Sequence, residues 1–275
     1  MGAADIIPGI SGGTIAFITH IYERLIRAVS NVLGLPKKLF AVAKKEATLK
    51  ETLQEADLAF LAVLVAGIIS AVAVMSHAIP AILNAYPKST YAFFCGLIVA
   101  ASVTIYRSVT TSQASTAWLA LGIVAGYATT RLPTAQASTN NLLLFVLGAI
   151  VICAMLLPGI SGSYLLLVAG QYEAILQAVQ QPITHAAQLA ALAAGALVGA
   201  ALFSHAIAYL LANYKNATLA LLTGLMLGAL AVPIRAIQQA TSNESWMLIA
   251  AAAILGAAIV TYLEYLRAKN QPASA

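Results

Sequence analysis

The sequence predicts an all-α polytopic membrane protein made of two inverted-topology repeats. Three observations carry this. The 275 residues are 61% hydrophobic and 8% charged, against about 25% charged in an average soluble domain. The apolar stretches are long, rich in Leu and Ala, and do not alternate, so they read as helices and not as barrel strands. One motif occurs twice: residues 8–13 read PGISGG and residues 158–163 read PGISGS.

The repeat extends beyond the motif. Over 8–25 against 158–175, seven of eighteen positions are identical, and a Tyr-Glu pair lies fourteen residues past each proline, at Tyr22-Glu23 and Tyr172-Glu173. A second match runs at offset 128, where twelve of thirty-two positions agree between 76–107 and 204–235. It pairs Tyr86 with Tyr214, Arg107 with Arg235 and, further on, Trp118 with Trp246. The offset falls because a longer loop, about 34–57, follows the first motif. The chain thus reads as one transmembrane domain over 1–275, with repeat one at 1–135 and repeat two at 136–275.

Each repeat is expected to hold a re-entrant helical hairpin broken at PGxSG plus about three transmembrane helices. The spans fall at about 58–85, 89–106 and 116–131, then at about 187–213, 217–234 and 246–266. In the second copy, apolar arms 141–157 and 163–177 flank Pro158-Gly159. Each arm is about 22–26 Å of helix, short of a crossing of about 30 Å. Three spans plus a hairpin make an odd number of crossings, which inverts the second repeat. The chain begins almost on its first motif, so an upstream segment supplying the first arm is expected.

Charge fits that topology. With the basic loop 34–57 in the cytoplasm, eleven Lys and Arg fall inside and three (Lys88, Arg131 and Arg235) fall outside, as the positive-inside bias expects. The net charge of +5 is therefore topological and does not imply nucleic-acid binding; Lys37, Lys38, Lys44 and Lys45 suit anionic membrane lipids. Cys95 and Cys153 read as small buried hydrophobes, and no metal-ligand spacing occurs.

Interrupted apolar segments at corresponding positions of two halves mark a transporter's substrate site. Pro8 and Pro158 break an incoming helix, and the glycines allow a tight turn and close backbone approach. Ser11 and Ser161 are placed to cap the helix that follows. Its free N–H groups favour an anion. Ser11, Gly12, Gly13 and Thr14, with Ser161, Gly162 and Ser163, would line the site. The bland alternative is close helix packing by small residues.

Other candidates each have two readings. Glu23 and Glu173, about 18 Å along a continuous helix from the serines, are interfacial carboxylates beside Arg24 or Arg27, or gating and ion-coupling groups. Asp5 is a proton or sodium site, or a helix-entry residue. Arg107 and Arg235 meet a phosphate at each face, or are snorkelling span ends. His77 and His205 are intramembrane groups or interfacial caps. Trp118 and Trp246 read as interfacial anchors.

The runs GAADIIPGISGGTIAFITHIYERLI and LPGISGSYLLLVAGQYEAIL resemble the paired signatures of the bacterial polyprenyl-phosphate transporter family. The resemblance covers nearly the whole chain. It implies a flippase of the cytoplasmic (inner) membrane that returns undecaprenyl phosphate from the outer to the inner leaflet for cell-envelope synthesis, with possible proton or sodium coupling and no other cofactor. Carried over by position, its motif residues are Asp5, Pro8, Gly9, Ser11, Gly12, Gly13, Thr14, Glu23 and Arg24, then Pro158, Gly159, Ser161, Gly162, Ser163, Tyr172 and Glu173. An oligomer is compatible with it.

Two alternatives stay open. A small-anion transporter predicts a sealed site with no lateral opening to lipid. A polyprenyl-pyrophosphate phosphatase needs a nucleophile or an acid/base group near the phosphate. Only Ser and Thr accompany the breaks, so no enzyme activity is expected.

Overall fold

The computed structural model describes residues 1–7, 10–35, 55–110, 112–132 and 140–270. Pro8, Gly9 and most of the basic loop, including Lys37, Lys38, Lys44, Lys45 and Lys50, lie outside the described residues. Those described form helices and connections, with no strand among them. The order is α1 (Gly2–Asp5), α2 (Gly12–Ile18), α3 (Tyr22–Leu33), α4 (Leu58–Ala85), α5 (Pro87–Arg107), α6 (Gln113–Thr129), α7 (Asn141–Leu156), α8 (Gly162–Val168), α9 (Tyr172–Gln180), α10 (Ala186–Asn213), α11 (Lys215–Ala229), α12 (Ala231–Gln239) and α13 (Trp246–Asn270).

Five helical stretches are long and apolar enough to cross a membrane: α4, α5, α10, α11 with α12, and α13. α6 has 17 residues and α7 has 16. This is a multi-pass membrane protein. α4 makes the case most plainly, since none of its residues is buried and Val63, Ile69 and Val74 are each more than 60% exposed. Such an apolar face is stable only against hydrocarbon or another protein.

The core is built by three close helix pairs, α6 with α11, α5 with α13 and α7 with α10. Small residues let each pair approach. A side chain on Gly122 would run into Gly224 of α11, one on Gly256 into the Phe93 carbonyl of α5, and one on Gly195 into the Phe145 carbonyl of α7. Without a hydrophobic drive inside lipid, such backbone proximity supplies the van der Waals contact that holds helices together.

Corresponding segments share local geometry. Tyr86 ends α4 at φ −135, ψ 62, and Tyr214 ends α10 at φ −134, ψ 45. Each tyrosine carbonyl then accepts the hydroxyl of a threonine four residues on, Thr90 at 2.7 Å and Thr218 at 2.9 Å.

The helix expected to run unbroken from each motif through the Tyr-Glu pair is in fact broken. α2 stops at Ile18 and α8 at Val168. His20 adopts φ +58 and Gly170 φ +67. Ile21 N–H donates to the Ala16 carbonyl and His20 N–H to that of Phe17; Gln171 and Gly170 repeat this onto Leu166 and Leu167. This is the Schellman termination, which needs a left-handed residue just past the helix. Gly170 adopts it without steric cost; His20 does so against preference. The spacing of about 18 Å along one helix from the serines to Glu23 and Glu173 is therefore withdrawn, since each pair begins a new helix.

Candidate functional site

The two motif copies meet. Thr14, 1% exposed, accepts the backbone N–H of Gly159 at 2.9 Å. A side chain at Gly13 would crowd the carbonyls of Met155 and Leu157. Gly159 itself lies at φ +91 with Leu225 and Met226 against it, where only glycine fits. Ser11, Thr14 and Ser161 are all buried. These polar residues from segments about 150 apart in the sequence thus share one interior locus.

The copies differ in how their helix starts are satisfied. Ser11 caps α2 as expected, its hydroxyl accepting from Gly13 N–H at 3.1 Å. Ser161 does not cap α8; its hydroxyl bonds the Ser163 hydroxyl at 2.8 Å instead. A serine at the cap competes between backbone and nearby side-chain partners, and Ser163 has no polar counterpart in the first copy, where Gly13 stands. Asp5 accepts the Gly12 N–H at 2.6 Å. A carboxylate of the chain therefore sits at the start of α2, in the role that an anion takes at a helix N-terminus.

Beyond the first copy opens a polar cavity of about 820 Å³. Phe17 and Tyr22 line it and stack edge to face, 5.1 Å apart. Glu23 pairs with Lys215 at 2.8 Å and with Arg27 at 3.5 Å. Arg24 holds Asp57 through two bonds of 2.6 and 3.0 Å and lies over the Phe60 ring. Its hydrogen bonds keep the Asp57 carboxyl below the usual carboxylate range. His20 bonds Glu264 of α13. The first Tyr-Glu pair thereby ties its segment to α11 and the His20 turn ties it to α13. The second pair is placed differently. Tyr22 is buried, whereas Tyr172 is exposed, and Glu173 is exposed and bonds none of the other described residues.

The two matched arginines also diverge. Arg107 ends α5, exposed and without a bond to another described side chain. Arg235 is half-buried on α12. Its Nη1 donates to the Thr130 carbonyl at 3.0 Å, while its Nη2 is buried without a partner. Beside it Arg131 donates from Nε and Nη2 to the Tyr127 hydroxyl at 3.0 and 2.5 Å. Twenty residues separate Lys215 from Arg235, or about 30 Å of helix, so the arginine pair lies at the far end from the polar cavity. Lys88 and Glu244 meet at that far end as well, since α5 leads from Lys88 to Arg107.

Residues 1–249 match the VCA0040-like family, described as undecaprenyl phosphate translocase-like. The chain belongs to this family. It is 37% identical over 231 residues to a polyprenyl-phosphate transporter of Vibrio cholerae, covering 84% of this chain and 73% of that protein. It is 26% identical over 288 residues to a polyprenyl-phosphate transporter of Staphylococcus aureus, covering 98% and 95%. No solved structure matches. Family membership agrees with the resemblance read from the doubled signature.

Several residues here were not singled out in the sequence. Lys215 and Arg131 entered only the charge count, and Tyr127 and Glu264 carried no motif. Arg131 stands opposite Ile259 at offset 128, so the repeat could not flag it. The Gly170 break had a signal, a glycine just past an apolar helical run.

Proposed function

We propose that this chain is a flippase for undecaprenyl phosphate, carrying it from the outer to the inner leaflet of the bacterial cytoplasmic membrane for reuse in envelope synthesis. Family membership and the likeness to polyprenyl-phosphate transporters support the substrate class. The observation that carries the mechanism is the Thr14–Gly159 bond, because it brings both motif tips to one interior place.

In this reading the tips lie deep in the membrane and the two repeats are inverted. The matching Tyr86 and Tyr214 turns support a common unit. Moving a phosphate through hydrocarbon is costly because the unpaired charge loses its water. Ser11, Gly12, Gly13 and Thr14, with Ser161, Gly162 and Ser163, offer hydroxyls and backbone N–H groups in place of that water. The apolar tail stays in lipid. Repeats that rock about such a site alternate its access.

Asp5 explains how the site is kept closed to anions until needed. Its carboxylate already takes the Gly12 N–H, so a phosphate must displace it. Protonation or cation binding at Asp5 would release that N–H and couple the lipid to a proton or sodium gradient. Glu23 and Arg24 act as gates on the polar cavity. The polar cavity of about 820 Å³ supports a state open toward its own end, which the eleven-to-three charge count puts in the cytoplasm.

Leaflet exchange of undecaprenyl phosphate in liposomes tests this. Wild type is compared with Ser11→Ala/Ser161→Ala and with empty vesicles. Protein-dependent exchange that falls in the double variant is the expected result. No exchange by wild type, with or without a gradient, removes the lipid reading and brings small-anion transport forward. Phosphate release from a prenyl pyrophosphate would instead indicate the phosphatase.

A further inference from the structure

We propose that Arg131 and Arg235, gathered on Tyr127, dock the phosphate monoester head of a polyprenyl phosphate at the end of the protein opposite the polar cavity. This rests on the transport reading above and adds to it a peripheral site where the lipid first binds.

Both guanidiniums lie against one ring, Arg131 at 5.2 Å and Arg235 at 5.8 Å from the Tyr127 centroid. The ring attracts each cation, while two like charges gathered at one side chain repel each other. No carboxylate among the described residues pairs with either. Glu244, at the same end, is already occupied by Lys88 N–H, Ser89 N–H and the Ser242 hydroxyl. Arg235 keeps one buried nitrogen with no hydrogen-bond partner. A buried donor left unmade is unfavourable, and it is the kind of group that a ligand satisfies.

The surroundings select the ligand. The arginines stand at the rim of an open groove of about 440 Å³ between α6 and α11–α12, floored by Ile123, Leu227, Leu230 and Ile234. Two guanidinium forks match a doubly charged phosphate monoester, and the apolar floor matches the first units of a prenyl chain. A free small anion has no use for that floor. A phosphodiester headgroup carries one charge and one fewer free oxygen.

The groove also adjoins the interior. Thr130, whose carbonyl holds Arg235, lines a small cleft with Gly159, Ser161 and Tyr164 of the second motif copy. Ala229 and Val232 line that cleft, while Leu230 and Ala231 between them line the groove. The groove and the cleft therefore lie on adjoining faces of the α11–α12 junction.

Binding of radiolabelled undecaprenyl phosphate to the full chain in nanodiscs tests this, with leaflet exchange measured on the same variants. Arg131→Gln/Arg235→Gln is expected to weaken binding by about tenfold or more. Arg131→Lys/Arg235→Lys keeps the charges and loses the forks, and should fall between. Melting and gel filtration check that each variant folds; if the glutamine pair does not, the lysine pair carries the test. Undecaprenol and inorganic phosphate at matched concentration should compete poorly. Wild-type affinity in every folded arginine variant would overturn the docking site. Equal competition by inorganic phosphate or by phosphatidylglycerol would overturn its ligand. Wild type that neither binds nor exchanges the lipid overturns the transport reading and this site with it, whereas exchange that survives with unchanged binding in the variants overturns this site alone.

Discussion

The Thr14 hydroxyl and the Gly159 backbone N–H, 145 residues apart in the chain, form a hydrogen bond of 2.9 Å inside the molecule. It links the two copies of the motif directly. Whatever moves one tip pulls on the other.

Thr14→Val keeps the shape and removes the acceptor. The Gly159 N–H then loses its partner in an apolar setting, which costs about 1–3 kcal/mol. A lower melting temperature in detergent is expected, with slower leaflet exchange. Thr14→Ser, which keeps the hydroxyl, should melt near wild type. If Thr14→Val melts with wild type, the bond does not hold the tips.

Glu23 sits between two cations, Lys215 and Arg27. Glu23→Lys therefore gathers three positive charges at the cavity and should reduce exchange. Adding Lys215→Glu rebuilds the pair in reverse and should restore part of it. The stability effect is small, about 0.2–1 kcal/mol for exposed pairs, so exchange rate is the informative readout. A double variant as poor as the single one would remove the gating role.

Glu244 predicts a response to acid. Burial alone would raise its carboxyl, but hydrogen bonds from the Ser242 hydroxyl and the Ser89 and Lys88 backbone override that and hold it at about 2, below the ordinary 4.5. The folded state thus holds its proton less tightly than the unfolded chain. The stabilisation is complete above about pH 4.5 and is lost as pH falls from there toward 2. Glu244→Gln should melt lower at pH 7 and flatten the melting curve across that acid window. A parallel loss in wild type and variant would assign the acid response elsewhere.

Gly170→Ala places a side chain at φ +67 and should cost about 1–2 kcal/mol. His20→Gly relieves the same strain in the first copy but severs the bond to Glu264. Its melting temperature, beside that of Glu264→Gln, separates backbone strain from the lost contact. A gain in His20→Gly equal to the full strain would mean that the Glu264 bond contributes nothing.

The long spans were legible because lipid imposes one rule, a continuous apolar run, and α4, α5 and α10 obey it within two residues of the expected ends. The break between α7 and α8 was legible because Pro158 and Gly159 act locally. The Schellman turn at His20 was not, because a histidine in a left-handed conformation leaves no compositional trace. Gly170, at the same place in the second copy, left one. Asp5 at the start of α2 was also hidden, since a bond from Gly12 to a carboxylate seven residues earlier follows no helical or strand spacing. Arg131 and Arg235 came together through the α6–α11 crossing, a tertiary fact written in Gly122 and Gly224 and not in any spacing of charges.

The length of α4 and α10 has a consequence for the bilayer. Each has 28 residues, or about 42 Å at 1.5 Å per residue. That exceeds a hydrocarbon thickness of about 30 Å, so both helices must lean, bend or stretch the lipid around them. Phe60, Leu61 and Leu64 of α4 touch the core, but no residue of the helix is buried to fix its angle. Acyl-chain length therefore sets the inclination of this first long span, and lipid composition becomes a mechanical input to the protein.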